Sequence, residues 1–147
     1  MKVNVDAHIR NATTAGLGVA VRDHQGRLIV TATKHIHHAP PEWAEAQAVR
    51  YGLGVARRLG FRRVCVESDS LNVIKAISCP SNGRSPIYSV YEDISVDRAY
   101  FDACTFSHTK RNGNTLAHFV ARCNVGDGLE TIRFPPFSES VETLVAL

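Results

Sequence analysis

The sequence predicts an α/β domain: a five-stranded mixed sheet, an antiparallel meander continued by parallel strands, with helices on both faces. Three observations carry this. The first third of the chain alternates apolar and polar residues with a period of two, the mark of half-buried strands. The remainder alternates helical stripes with short β-rich runs. The length of 147 residues with 44% apolar content suits one domain with a true core.

The elements follow in order. Met1 to Ala7 contains K-V-N-V-D, placing Val3 and Val5 on one face and Lys2, Asn4 and Asp6 on the other. Gly16 to Asp23 and Arg27 to Lys34 are two further strands. Asp23-His24-Gln25-Gly26 is the turn that makes them a hairpin. His35 to Pro41 reads as a loop. Pro40 and Pro41 suit the start of a helix, where a missing N–H costs nothing. That helix runs from about Glu42 to Leu59, and Gly60 closes it. Arg62 to Glu67 is the fourth strand. Asp69 or Ser70 opens a short helix through Ile77, broken by Cys79-Pro80-Ser81-Asn82-Gly83. Ser85 to Val96 reads as a third helix and Phe101 to His108 as a fifth strand. Asn112 or Asn114 caps a last helix reaching about Cys123. Beyond this the pattern changes. Phe134-Pro135-Pro136-Phe137 and an acidic, Ser-containing end read as a tail laid on the surface or left loose. Residues 1–126 are thus the domain and residues 127–147 the tail.

Seventeen Lys and Arg against fourteen Asp and Glu give a net charge of +3, with seven His besides. This mild basicity permits a nucleic-acid partner without demanding one. None of Cys65, Cys79, Cys104 and Cys123 forms a C-x-x-C pair, which argues against a zinc knuckle or redox motif. Cys65 and Cys104 fall in apolar β-like runs, where a free cysteine behaves as a small buried hydrophobe. Reduced cysteines fit an intracellular protein of the cytoplasm or nucleus. No signal-peptide pattern opens the chain, and no apolar run approaches the roughly 20 residues that cross a bilayer. The expectation is a monomer with no membrane partner.

Three acids stand where packing alone would not put them. Asp6 ends the first strand. Glu45 shares a helical stripe with Val49, Gly52, Leu53, Ala56 and Leu59, the face this helix buries. A carboxylate there is costly unless paired or bound to a metal. Asp69 follows V-C-V-E-S and precedes a helix, where it could also be an N-cap. Two of these acids are at strand ends and one is in the first turn of the intervening helix. If the first and fourth strands are neighbours, the three converge. Converging carboxylates need cations, and oxygen ligands without cysteine favour Mg²⁺ or Mn²⁺. Two such ions about 4 Å apart can activate water and stabilise the leaving oxygen of a phosphodiester displacement.

Five stretches in unbroken order then carry a resemblance. They are K-V-N-V-D, G-L-G-V-A-V-R-D-H-Q-G-R, A-E-A-Q-A-V-R-Y-G-L, V-C-V-E-S-D-S-L-N-V-I and H-T-K-R-N-G-N-T-L-A-H-F-V-A-R. Together, over about Met1 to Asn124, they closely resemble the ribonuclease H-like family. The nearest branch looks like plant proteins derived from the ribonuclease H region of retrotransposon polyproteins, and the F-P-P-F tail is similar to that branch too. That the first strand opens the chain suggests a domain taken from a longer polypeptide. The resemblance implies a metal-dependent endonuclease that hydrolyses the RNA strand of an RNA–DNA hybrid by two-metal-ion cleavage. It implies metal ligands at Asp6, Glu45, Asp69 and His118, and a histidine assisting product release or proton transfer at His108. The chain departs from the family at two places. Ala7 and His8 follow Asp6 where the family has glycine and then a small residue. His118 stands where the family has a fourth aspartate, which removes one negative charge and suits Mn²⁺ better than Mg²⁺.

Lys110, Arg111, Asn112 and Asn114 lie near this site and are candidate contacts to the hybrid backbone. Arg57, Arg58, Arg62 and Arg63 are either a solvated face or further phosphate contacts. His35, His37 and His38 read as a polar loop rather than a metal site, and Trp43 as packing rather than a stacking platform. Two functions compete: the nuclease, and a domesticated module of the same fold that binds nucleic acid or a protein without cleavage.

Overall fold

A computed structural model describes residues 1–37, 40–79 and 83–146. His38 and Pro80 to Asn82, named above in the histidine loop and the helix break, lie outside the described residues. The strands are β1 (Lys2–Ile9), β2 (Thr14–Arg22), β3 (Leu28–His37), β4 (Arg63–Ser68), β5 (Ala103–His108) and β6 (Glu130–Arg133). The helices are α1 (Pro41–Arg58), α2 (Leu71–Ser78), α3 (Pro86–Arg98), α4 (Thr115–Ala121) and α5 (Glu139–Val145). The sheet has the order β5-β4-β1-β2-β3-β6. β1, β4 and β5 run parallel, and β2, β3 and β6 pair antiparallel.

The meander forms because its turn is built for it. Asp23 Oδ1 accepts from the backbone N–H groups of Gln25 and Arg27, and Gly26 takes φ +80°, which a side chain would disfavour. Alternation along β1 then divides the molecule. Val3 and Val5 face a large aliphatic core with Val19, Val21, Val66, Val49 and Leu53, covered by α1, α2 and α3. The opposite face carries a smaller cluster of Ala20, Leu28, Leu116, Val120 and Val141, under α4 and α5. Both helical layers sit close because glycines let them. A Cβ on Gly52 of α1 would meet Val5 Cγ1 at 2.6 Å, and one on Gly18 of β2 would meet the Ala121 backbone nitrogen at 2.3 Å.

Three expectations need correction. The sheet has six strands, because Glu130–Arg133 of the supposed tail pairs with Thr31–Lys34 of β3. Within the same segment α5 follows, and Val141 is buried against the sheet. Second, His35 and His37 lie on β3 rather than in a loop, since pairing to Gly16 and Thr14 of β2 carries the strand through them. Third, Cys65 is only partly buried, whereas Cys104 is buried as expected. No helix among the described residues is long and apolar enough to cross a membrane.

Candidate active site

The pairing of three parallel strands stops at one level. Val5 of β1 lies opposite Ser68 of β4, and Ser68 opposite His108 of β5. The next residue on each of the first two strands is a carboxylate, Asp6 and Asp69. Asp6 therefore does not end its strand: β1 continues to Ile9 on its pairing with β2, with Asp6 opposite Gly18. What ends beside Asp6 is β4, and this opens space at the sheet's edge. Glu45 comes down from α1. It is the fifth residue of that helix and opens its second turn, because the helix begins at Pro41 rather than Glu42.

One carboxylate oxygen from each of Asp6, Glu45 and Asp69 lies within 4.8 Å of the others. Glu45 Oε2 is buried and has no hydrogen-bond partner among the described residues. Burial first, and then the charges of Asp6 and Asp69, push the Glu45 carboxyl up to about 9. Asp6 is also raised, first by burial and next by Asp69, while the His118 hydrogen bond pulls it down. The nearby Ala7 backbone N–H opposes both rises. Such a group holds protons when nothing else neutralises it. An orphaned, buried oxygen among crowded acids is a donor set that fits a hard divalent cation.

His118 approaches from α4, with Nδ1 2.9 Å from Asp6 Oδ2. Against an ionised Asp6 that nitrogen carries the hydrogen. The side chain is about half exposed. His108 ends β5, as the expected strand to His108 places it, and its Nε2 lies 3.2 Å from the Asp69 carbonyl oxygen. Lys110, Arg111 and Asn112 are exposed around a single 3-10 turn at Arg111–Gly113. Asn114 is different. It is only 1% exposed, and its side chain does not cap α4. Instead its Nδ2 donates to the Val5 carbonyl at 2.9 Å, and its Oδ1 accepts from Asn4 Nδ2 at 3.1 Å. Asn4 also donates to Glu67 Oε1. This network ties the start of α4 to the residue before Asp6. Sequence pattern alone does not reveal it; the one signal is Asn4, a polar residue alternating with Asp6 on one strand face.

The remaining candidates are placed elsewhere. Arg58 pairs bidentately with Glu130, Arg62 pairs with Asp102, and Arg57 and Arg62 stack over Tyr100. Trp43 packs against the large core. On the other side of the site, His8 makes an edge contact with the His118 ring at 6.4 Å. Burial, followed by the positive charges of Arg122, His118 and Arg10, holds His8 below the usual imidazole range.

Residues 4–123 match a family model described as reverse transcriptase-like. The chain belongs to that family. Its fold is the ribonuclease H fold, as the solved structures similar to it show. The RNase H1 of the halophilic archaeon Halobacterium salinarum superposes with a TM-score of 0.75 at 21% identity, over 81% of this chain and 92% of that one. The N-terminal RNase H domain of a Mycobacterium tuberculosis protein, solved as a fusion with maltose-binding protein, gives 0.71 at 23% identity, over 81% and 89%. LC11-RNase H1, isolated from compost by a metagenomic approach and solved in complex with an RNA/DNA hybrid, gives 0.72 at 19% identity, over 81% and 91%. No curated protein shows significant sequence similarity. The family match takes in β1 through α4 and stops short of β6 and α5.

Proposed function

We propose that this chain is a metal-dependent nuclease of the ribonuclease H type that cuts the RNA strand of an RNA–DNA hybrid. The observation that carries the reading is the meeting of Asp6, Glu45 and Asp69 within 4.8 Å around an unpartnered, buried Glu45 oxygen. A structural role would leave that oxygen hydrogen-bonded. That a structure similar to this one holds an RNA/DNA hybrid supports the substrate class.

Asp6, Glu45 and Asp69 would hold Mg²⁺ or Mn²⁺, two ions in all, with His118 at the edge of the set. When bound, such ions supply an activated water and charge stabilisation for an in-line phosphodiester displacement. The chain's own residues do the rest. The middle of β1 and the end of β4 fix Asp6 and Asp69 side by side, and α1 brings Glu45 across them. Asn114 locks the start of α4 to β1 and so sets where His118 meets Asp6. His108, exposed and 3.2 Å from the Asp69 carbonyl oxygen, would assist product release or proton transfer. Lys110, Arg111 and Asn112 would contact the hybrid backbone, whereas the Asn114 side chain is spent inside the protein.

A second reading has one observation in its favour. His118, and not a fourth carboxylate, occupies the Asp6 flank of the site. The same domain could then hold a hybrid without cleaving it. A labelled hybrid incubated with Mg²⁺, with Mn²⁺ and with chelator separates the two. The nuclease reading expects cut RNA, more with Mn²⁺ than with Mg²⁺, and a gain with Mg²⁺ in His118→Asp. If the native chain and His118→Asp are both silent while hybrid binding persists, the binding module is correct.

A further inference from the structure

On its α4 side the carboxylate site is bordered by basic side chains. Alternation along β1 puts His8 on the same face as Asp6. On α4 and just past its end, His118 and Arg122 are four residues apart, so they share one flank. His8 meets the edge of the His118 ring, with centroids 6.4 Å apart. Arg10, past the end of β1, is held in place by two contacts: one Nη lies 3.3 Å from His35 Nε2 and the other donates to Asn124 Oδ1 at 3.2 Å. Neither partner carries negative charge. A guanidinium has five N–H donors, so these contacts orient Arg10 and leave most of its hydrogen-bonding capacity outward.

Arg27, Arg50, Arg58 and Arg62 each have a carboxylate partner. Arg10 and Arg122 are exposed and belong to the arginines that have none among the described residues, and these two lie beside the carboxylate site. Exposed guanidinium groups with no carboxylate partner of their own are free to meet the charge of a polyanion. Arg10 and Arg122 flank the carboxylates on the side opposite Lys110 and Arg111, which follow β5.

We infer that Arg10 and Arg122, with His8 and His118 between them, form a phosphate-binding surface that carries the nucleic-acid backbone away from the carboxylates across α4. This rests on the reading of the chain as a nucleic-acid-cleaving domain and adds a contact surface to it. The surface recognises phosphodiester charge and not base identity, so its contribution is uniform across sequences.

The test measures binding of an RNA–DNA hybrid across a salt series, without cleavage, in the presence of Ca²⁺. The Arg10→Ala/Arg122→Ala double variant should bind more weakly at low salt. Its slope of log affinity against log salt should fall by about two, roughly one for each phosphate no longer neutralised by an arginine. Arg10→Glu/Arg122→Glu should weaken binding further. Arg27→Ala, at the hairpin turn at the far end of the sheet, should match the native chain. A slope and affinity equal to native in both double variants would overturn the surface. So would double variants that change only divalent-ion affinity, because the arginines would then act on the metal site alone. The two proposals fail separately. Cleavage with an unaltered salt slope removes the surface and keeps the nuclease. A slope that depends on Arg10 and Arg122 in a chain silent with both ions keeps the surface and removes the nuclease.

Discussion

On the α1 side of β1, Val3 and Val5 are fully buried among aliphatic side chains. On the α4 side of the same strand, Asn4 and Asp6 are nearly as buried, yet they are polar and held by hydrogen bonds to Asn114 and His118. One short stretch of strand thus builds a dry core on one face and a polar, ion-ready layer on the other. The strand's period of two keeps the two jobs apart, and a slip of one residue would exchange them. Stability is concentrated where side chains are interchangeable hydrophobes. Chemistry is concentrated where Asn4, Asp6, Asn114 and His118 each have a specific polar partner.

That contrast can be broken from either side. The largest effect is expected on the polar side. Asp69→Asn should lower cleavage of a labelled hybrid by about a thousandfold or more with either Mg²⁺ or Mn²⁺, because the site loses charge stabilisation worth several kcal/mol. Its thermal unfolding should barely change. Retention of more than a tenth of native cleavage would show that hydrolysis does not occur at these acids.

Next comes the pH dependence of the metal-free protein. Glu45 titrates near 4.5 when unfolded and is pushed up to about 9 when folded. The folded state therefore holds a proton that the unfolded state has released across that window. Stability should be full below pH 4.5 and decline as pH rises toward 9. Glu45→Gln should flatten the profile and stabilise the metal-free protein by a few kcal/mol at pH 8. Saturating Mg²⁺ should do the same for the native chain and nothing for the variant. Denaturant midpoints from pH 5 to 9 read this directly, and a rise with pH would contradict the crowding of these acids.

The two glycine seats compare the faces more finely. A Cβ on Gly18 meets backbone atoms of Ala117 and Ala121, which can move only if α4 moves. A Cβ on Gly52 meets Val5 and Val3 side chains, which can rotate. Gly18→Ala should therefore cost more, about 1–3 kcal/mol, and should also weaken the His118 contact with Asp6. Equal denaturant midpoints for the two variants would erase this distinction. The smallest effect belongs to Asn114→Ala. It strands the Val5 carbonyl and leaves Asn4 short of a partner, at a cost of about 1–2 kcal/mol in chemical denaturation. A neutral result would mean that water replaces the amide.

Much of this was legible in the sequence. The period of two in the meander and the 3.6-residue stripe of α1 reveal the layers, and Glu45 stands out because it interrupts a buried stripe. What escaped was decided by tertiary contacts. Glu130–Arg133 is short and lacks clear alternation, so only the free edge of β3 makes it a strand. His35 and His37 read as loop because nothing local in them favours a strand, whereas pairing with β2 does. Asn114 carries the local signature of a helix cap, yet its amide turns inward to Val5 and Asn4. Local pattern identified the residue but not its partner.

The close approach of α4 to β2 has a wider consequence. The helix is seated by bare backbone against positions with no side chain, so its placement owes little to what its outer flank displays. Position 118 is delivered to the same corner whatever occupies it. Exchanging the imidazole there for an acid should therefore change the charge beside Asp6 without redesigning the scaffold. One rung of sequence then works as a dial, turned independently of the machine that holds it.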